Sequence, residues 1–122
     1  HSENYERKFE TAQCERRPVH LVCAGTVGKI SSEDTLLAGA IVDRLLQREP
    51  SIEFRDAALL ARNHWLSCCA SHESLVETLR LGQGGRNLIG LGMGSDVELV
   101  ALQDQVDLVP EYSPQSRRIR RS

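Results

Sequence analysis

Cys23-Ala-Gly-Thr-Val-Gly-Lys-Ile-Ser-Ser-Glu-Asp-Thr-Leu36 leads from an apolar run, through a loop with two glycines, into a long helix. Upstream, Val19 to Cys23 (V-H-L-V-C) is short and β-branched and predicts a strand. Downstream, apolar residues recur at helical spacing from Ser32 to Arg48, and Pro50 marks the stop. Leu37, Ile41 and Leu45 define the expected stripe, widened by Ala38, Val42 and Leu46. Gly39 inside that helix costs about 1 kcal/mol relative to Ala. Ala38-Gly39-Ala40 is thus a patch where another backbone can approach closely.

A strand, a glycine loop and a capped helix in this order form a plausible phosphate cradle. Gly25 and Gly28 let the backbone turn and approach a ligand, and a helix start presents unpaired N–H groups. The spacing G-x-x-G is weak evidence alone, and no P-loop G-K-[ST] follows. An ordinary βα loop fits the pattern equally well. Glu33 and Asp34 lie in the first helical turn. One reading is structural: acids there favour the helix dipole, and Ser31-x-x-Asp34 approximates a capping box. The other is a divalent cation, because carboxylates beside a phosphate ester would otherwise repel it. Both hold if one acid caps and the other ligates.

The remaining chain predicts a polar helix over residues 3–16, ended by Arg17-Pro18. A second long helix runs from Arg55 to about Cys69, with Ala58, Leu59, Arg62, Leu66 and Cys69 near one face. Ser71 caps a third, which ends near Leu81-Gly82. A glycine-rich segment, Gly84 to Gly94, holds a short helical turn at Arg86 to Gly90. Ser95 caps a helix from Asp96 to about Gln103, and Val106 to Val109 reads as a second strand. Residues 111–122 read as a basic disordered tail. The organisation is a polar helix (1–18), an α/β domain (19–110) and the tail. The fold class is α/β: a mixed or parallel sheet flanked by helices. Two strands are too few for an independent sheet, so half of a larger three-layer α/β/α fold is expected.

The 122 residues suffice for one domain, with 40% hydrophobic, 26% charged and only 4% aromatic residues, so the core must be aliphatic. A formal net charge of -2 provides no long-range attraction for nucleic acid or an anionic membrane. No membrane span or secretory signal is visible, and the four cysteines read as reduced, mostly buried thiols of a cytoplasmic protein. His64, Cys68 and His72 fall at i, i+4 and i+8, but Ser71 starts a new helix, which disfavours zinc. His20 reads as an ordinary polar strand position, and Trp65 as a core or interface anchor. Gly90-x-Gly92-x-Gly94 lacks a dinucleotide-binding context. Arg117, Arg118, Arg120 and Arg121 read as a solvated end.

The segment C-A-G-T-x-G, S-x-E-D-T-L, A-G-A over Cys23 to Ala40 resembles the 2-phosphosulfolactate phosphatase family. Gly85-Arg-Asn-Leu, Gly92, Asp96-Val and Val109-Pro110 follow in the order expected for the C-terminal half of that family. The likeness covers residues 18–110. It implies Mg²⁺-dependent hydrolysis of the phosphate ester of 2-phospho-3-sulfolactate, a reaction that serves coenzyme M synthesis in some organisms. It also implies a missing N-terminal half or a second copy as partner, and a small anionic phosphoester as substrate. By that resemblance Glu33 and Asp34 are the candidate metal ligands and catalytic acids. Cys23, Gly25, Thr26, Gly28 and Ser32 are candidate substrate contacts, and Lys29 or Arg86 would meet the sulfonate. Two alternatives stand beside it: a non-catalytic remnant, and an α/β binding module for phosphorylated or sulfonated acids.

Overall fold

A computed structural model describes residues 2–103 and 110–121. The elements in order are α1 (Ser2–Cys14), α2 (Ser32–Arg48), α3 (Asp56–Cys68), α4 (His72–Leu81), α5 (Gln83–Gly90), α6 (Ser95–Val100), β1 (Pro110–Ser113) and β2 (Arg118–Arg121). The architecture is therefore helices with a small antiparallel two-stranded sheet. The chain divides into two compact units, residues 21–102 and residues 1–20 with 103–122. Among the described residues, no helix is long and apolar enough to cross a membrane.

In the unit 21–102, α2 and α3 pack directly against each other because Gly39 has no side chain. A Cβ at Gly39 would lie 2.0 Å from the Ala61 carbonyl oxygen. This is the close approach that Ala38-Gly39-Ala40 predicted. It also sets the rotation of α2: Leu36, Gly39, Val42, Asp43 and Leu45 are buried, whereas Leu37 is exposed. The expected stripe through Leu37 is thus displaced by one position at its start. Within the seam Asp43 accepts from Arg62 Nε at 2.9 Å and from Gln47 Nε2 at 2.8 Å. Arg62 lies on the face foreseen for it, but Leu59 and Leu66 are exposed, and Ala61 and Cys68 take the buried positions of α3.

The core joins Leu36, Cys68, Leu75, Leu79, Val97 and Ala101, with Trp65, Val76 and Leu88 packed against it. Ser71 caps α4 as its sequence position predicts, accepting from the Ser74 amide at 3.1 Å. α5 lies tight on the end of α4, since a Cβ at Gly85 would meet the Leu79 carbonyl oxygen at 2.0 Å. α6 begins after Gly94 rather than after a Ser95 cap, and ends at Val100, three residues short of the expected Gln103.

Several expectations differ from the structure. Val19 to Cys23 is not a strand: among the described residues it has no ladder partner, and Val22 is exposed. A β-type run has no internal hydrogen bonds, so without a neighbouring strand its pattern produces no sheet. The combination of helices and a sheet is α/β-like, but among the described residues the sheet is antiparallel and no three-layer arrangement is seen; the second expected strand, Val106 to Val109, lies outside the described residues. Of the tail 111–122, expected to be disordered, residues 111–121 instead contribute to a hairpin. Pro110 pairs with Arg121 and Ser113 with Arg118, and Arg117 takes a positive φ of 52° at the turn. In the same unit, α1 buries Phe9 and Ala12, and Lys8 pairs with Glu111. That ion pair holds the Glu111 carboxyl below its ordinary value. Of the four free cysteines only Cys68 is buried, and Cys14 and Cys23 are exposed, contrary to the expectation of mostly buried thiols.

Candidate functional site

The site is assembled at the first turn of α2. Ser31 is the N-cap, in extended conformation, and its hydroxyl accepts from the Asp34 amide at 3.3 Å. This is half of a capping box. The other half is diverted: Asp34 Oδ2 accepts from the Gly25 amide at 2.8 Å. The Cys23 thiol donates to the Asp34 carbonyl at 3.6 Å. The Cys-Ala-Gly segment is thereby tethered twice to the start of the helix. Gly25 carries a φ of 75°, a conformation that favours glycine.

Thr26 and Lys29 close a tight turn by exchanging backbone hydrogen bonds of 2.9 and 3.0 Å. Both central residues have positive φ, 51° at Val27 and 70° at Gly28. Glycine suits that region, whereas a β-branched residue is strained there. The amides of Gly25 and Thr26 thus already have partners within the chain. What remains for an anion is the tip of the turn and the α2 start, where the Ser32 and Glu33 amides belong to the first turn, whose N–H groups have no intrahelical acceptor.

Glu33 points elsewhere. A Cβ built on Gly84 would lie 2.4 Å from Glu33 Oε1, and one on Gly82 would lie 3.6 Å from Oε2. The carboxylate therefore rests against the N-terminal turn of α5. A side chain at Gly84 would displace the carboxylate, whereas one at Gly82 would make ordinary contact with it. Ser32 is turned toward α3, where its hydroxyl meets His64 Nε2 at 3.1 Å.

The predicted residues thus fall into groups. Cys23, Gly25 and Asp34 form one cluster, and Thr26, Gly28 and Lys29 the adjoining turn. Ser32 and Glu33 face α3 and α5. Arg86, on α5, donates to Gln83 at 2.9 Å and is exposed. His64, Gly82 and Gly84 were not among the predicted site residues. The sequence carries no signal linking them to residues 32 and 33, since only the packing of α3 and α5 brings them there.

Among the described residues no cluster of three or more His, Cys, Asp or Glu side chains could build an all-protein metal cage. Of the two acids at the α2 start, Asp34 uses one oxygen, Oδ2, for the Gly25 amide, and Glu33 carries its carboxylate to α5. Mg²⁺ commonly uses one or two carboxylates and completes its shell with water and phosphate oxygens.

A family model described as 2-phosphosulpholactate phosphatase matches residues 3–115. Among curated relatives, a probable 2-phosphosulfolactate phosphatase of Thermotoga petrophila is 36% identical over 95 residues, covering 78% of this chain and 39% of that protein. One of Symbiobacterium thermophilum is 32% identical, covering 78% of this chain and 40% of the relative. Another, of Clostridium acetobutylicum, is 28% identical over 78% of this chain and 39% of its own length. The chain therefore spans about two fifths of the length of these relatives, in their C-terminal part. No solved structure matches it. The family match runs through the glycine turn, the acidic helix start and the α5 glycines alike, and the chain belongs to the 2-phosphosulpholactate phosphatase family.

Proposed function

We propose that this chain carries the phosphate-handling part of a 2-phosphosulfolactate phosphatase, hydrolysing the phosphate ester of 2-phospho-3-sulfolactate to sulfolactate and phosphate with Mg²⁺. The observation that supports this most is the placement of Glu33, whose carboxylate lies between the start of α2 and the glycines opening α5. An anionic ester at that point meets unpaired helix amides, and a cation held by Glu33 offsets the repulsion between carboxylate and phosphate. When bound, Mg²⁺ supplies charge neutralisation and polarises the phosphoryl group. The chain's own residues do the rest. Ser32 and Glu33 amides orient phosphate oxygens, and Asp34, by its bond to Gly25, fixes the loop that leads to the Val27-Gly28 tip. Lys29, exposed beside that tip, is the candidate for the sulfonate.

The test is phosphate release from 2-phosphosulfolactate by the 122-residue chain, with Mg²⁺ and with chelator. Glu33→Gln is expected to lower the rate by about a hundredfold or more, the scale of losing a transition-state electrostatic contact. Release that survives chelation and Glu33→Gln would overturn the metal assignment. Thermal protection by phosphate or sulfolactate without any release would favour the binding-module reading instead.

A further inference from the structure

The Ser32–His64 contact belongs to a chain of hydrogen bonds whose directions can be worked out. Ser67 Oγ lies 2.8 Å from the His64 carbonyl oxygen. A carbonyl only accepts, so the Ser67 hydroxyl hydrogen is used there. Ser67 Oγ also lies 3.4 Å from Cys68 Sγ. With its own hydrogen engaged, it receives the thiol hydrogen of Cys68. Cys68 Sγ in turn lies 3.9 Å from His64 Nδ1. Because the thiol hydrogen points at Ser67, this contact requires Nδ1–H to donate to sulfur. A neutral imidazole protonated on Nδ1 has its lone pair on Nε2. Ser32 Oγ, 3.1 Å from Nε2, is therefore the donor to it. Cys68 is buried, and Ser32 and His64 are half-buried.

A hydroxyl aligned on a base, with the base oriented by a third group, is the arrangement that activates a serine nucleophile. We propose that Ser32 is the nucleophile of this site and His64 its general base, the hydrolysis passing through a phosphoserine. This rests on the phosphatase reading above. In the first step Ser32 Oγ bonds to phosphorus and its proton passes to His64 Nε2. The bond from phosphorus to the ester oxygen breaks, and the departing alkoxide takes that proton. In the second step water attacks the phosphoserine and gives its proton to Nε2. The phosphorus–Oγ bond breaks, Ser32 recovers a proton from His64, and inorganic phosphate leaves.

The full chain is treated with a fluorophosphonate, in which serine displaces fluoride from phosphorus, and the adduct is mapped by peptide mass spectrometry. One adduct is expected on Ser32, absent in Ser32→Ala and formed at least about tenfold more slowly in His64→Gln. Ring ¹⁵N shifts of His64 in the unmodified protein provide a readout that needs no variant to fold, and the Nδ1–H form is expected. No adduct, an adduct on another serine, an undiminished rate in a folded His64→Gln, or the Nε2–H form would each overturn the assignment. Labelling requires no turnover, so an adduct on Ser32 without phosphate release from 2-phosphosulfolactate sinks the phosphatase reading and leaves the nucleophile standing. Phosphate release that persists in Ser32→Ala does the reverse.

Discussion

The α2–α3 seam and residues 21–30 are both rich in aliphatic side chains, yet they end in opposite environments. Val42 in the seam is 1% exposed, whereas Val22 and Ile30 are each 92% exposed. A helix satisfies its own backbone, so it can offer its apolar face to whatever neighbour the chain provides. An apolar segment of strand type needs a second strand first. The seam is therefore held by contacts within the chain, while among the described residues the 21–30 segment is fixed by two tethers to Asp34 and one two-residue turn.

Substitution in the seam should have the largest effect on stability. Gly39→Val places a side chain where a Cβ alone would be 2.0 Å from the Ala61 carbonyl, forcing α2 and α3 apart. A loss of about 3 kcal/mol is expected in urea unfolding, at the upper end for overpacked sites. A loss below about 0.5 kcal/mol would mean the seam is not the rigid region contrasted with the loop.

Asp43→Ala should come next. It leaves Arg62, whose side chain is 32% exposed, without its carboxylate inside the seam. Removing one partner of a buried pair costs about 3–5 kcal/mol, and the partial exposure of Arg62 reduces the expectation to about 2 kcal/mol. Double substitution with Arg62→Met should recover part of that loss, which a double-mutant cycle would reveal.

The smallest effect belongs to the loop and has the opposite sign. Val27→Gly relieves a β-branched residue held at a φ of 51°. A change between a gain of about 1 kcal/mol and none is expected, since glycine also adds disorder to the unfolded chain. If the strain serves to hold the tip, phosphate release should fall in this variant although stability does not. A drop in stability of the seam's size would erase the contrast between the two regions.

Much of the helical layer was legible from spacing and caps. Ser31 and Ser71 sit where extended caps are needed, and α2 spans the residues its periodicity outlines. The face that α2 buries was less legible. Leu36 and Leu37 are equally apolar neighbours, and only the fit of Gly39 on α3 selects the first. The hairpin at residues 110–121 was missed because its side chains are polar and mostly exposed, so backbone pairing leaves little mark on the pattern.

For the candidate site, the sequence by itself determined the local parts: a turn that needs glycine, a capped helix start, and two acids one residue apart. Those depend on interactions within a few residues, which spacing records. Only the tertiary structure decided their roles. It turned Asp34 to the loop and Glu33 to the α5 glycines, and it brought His64 to Ser32 across 32 residues of chain. Such contacts depend on how whole helices pack, and packing is set by the summed shapes of many side chains rather than by any motif.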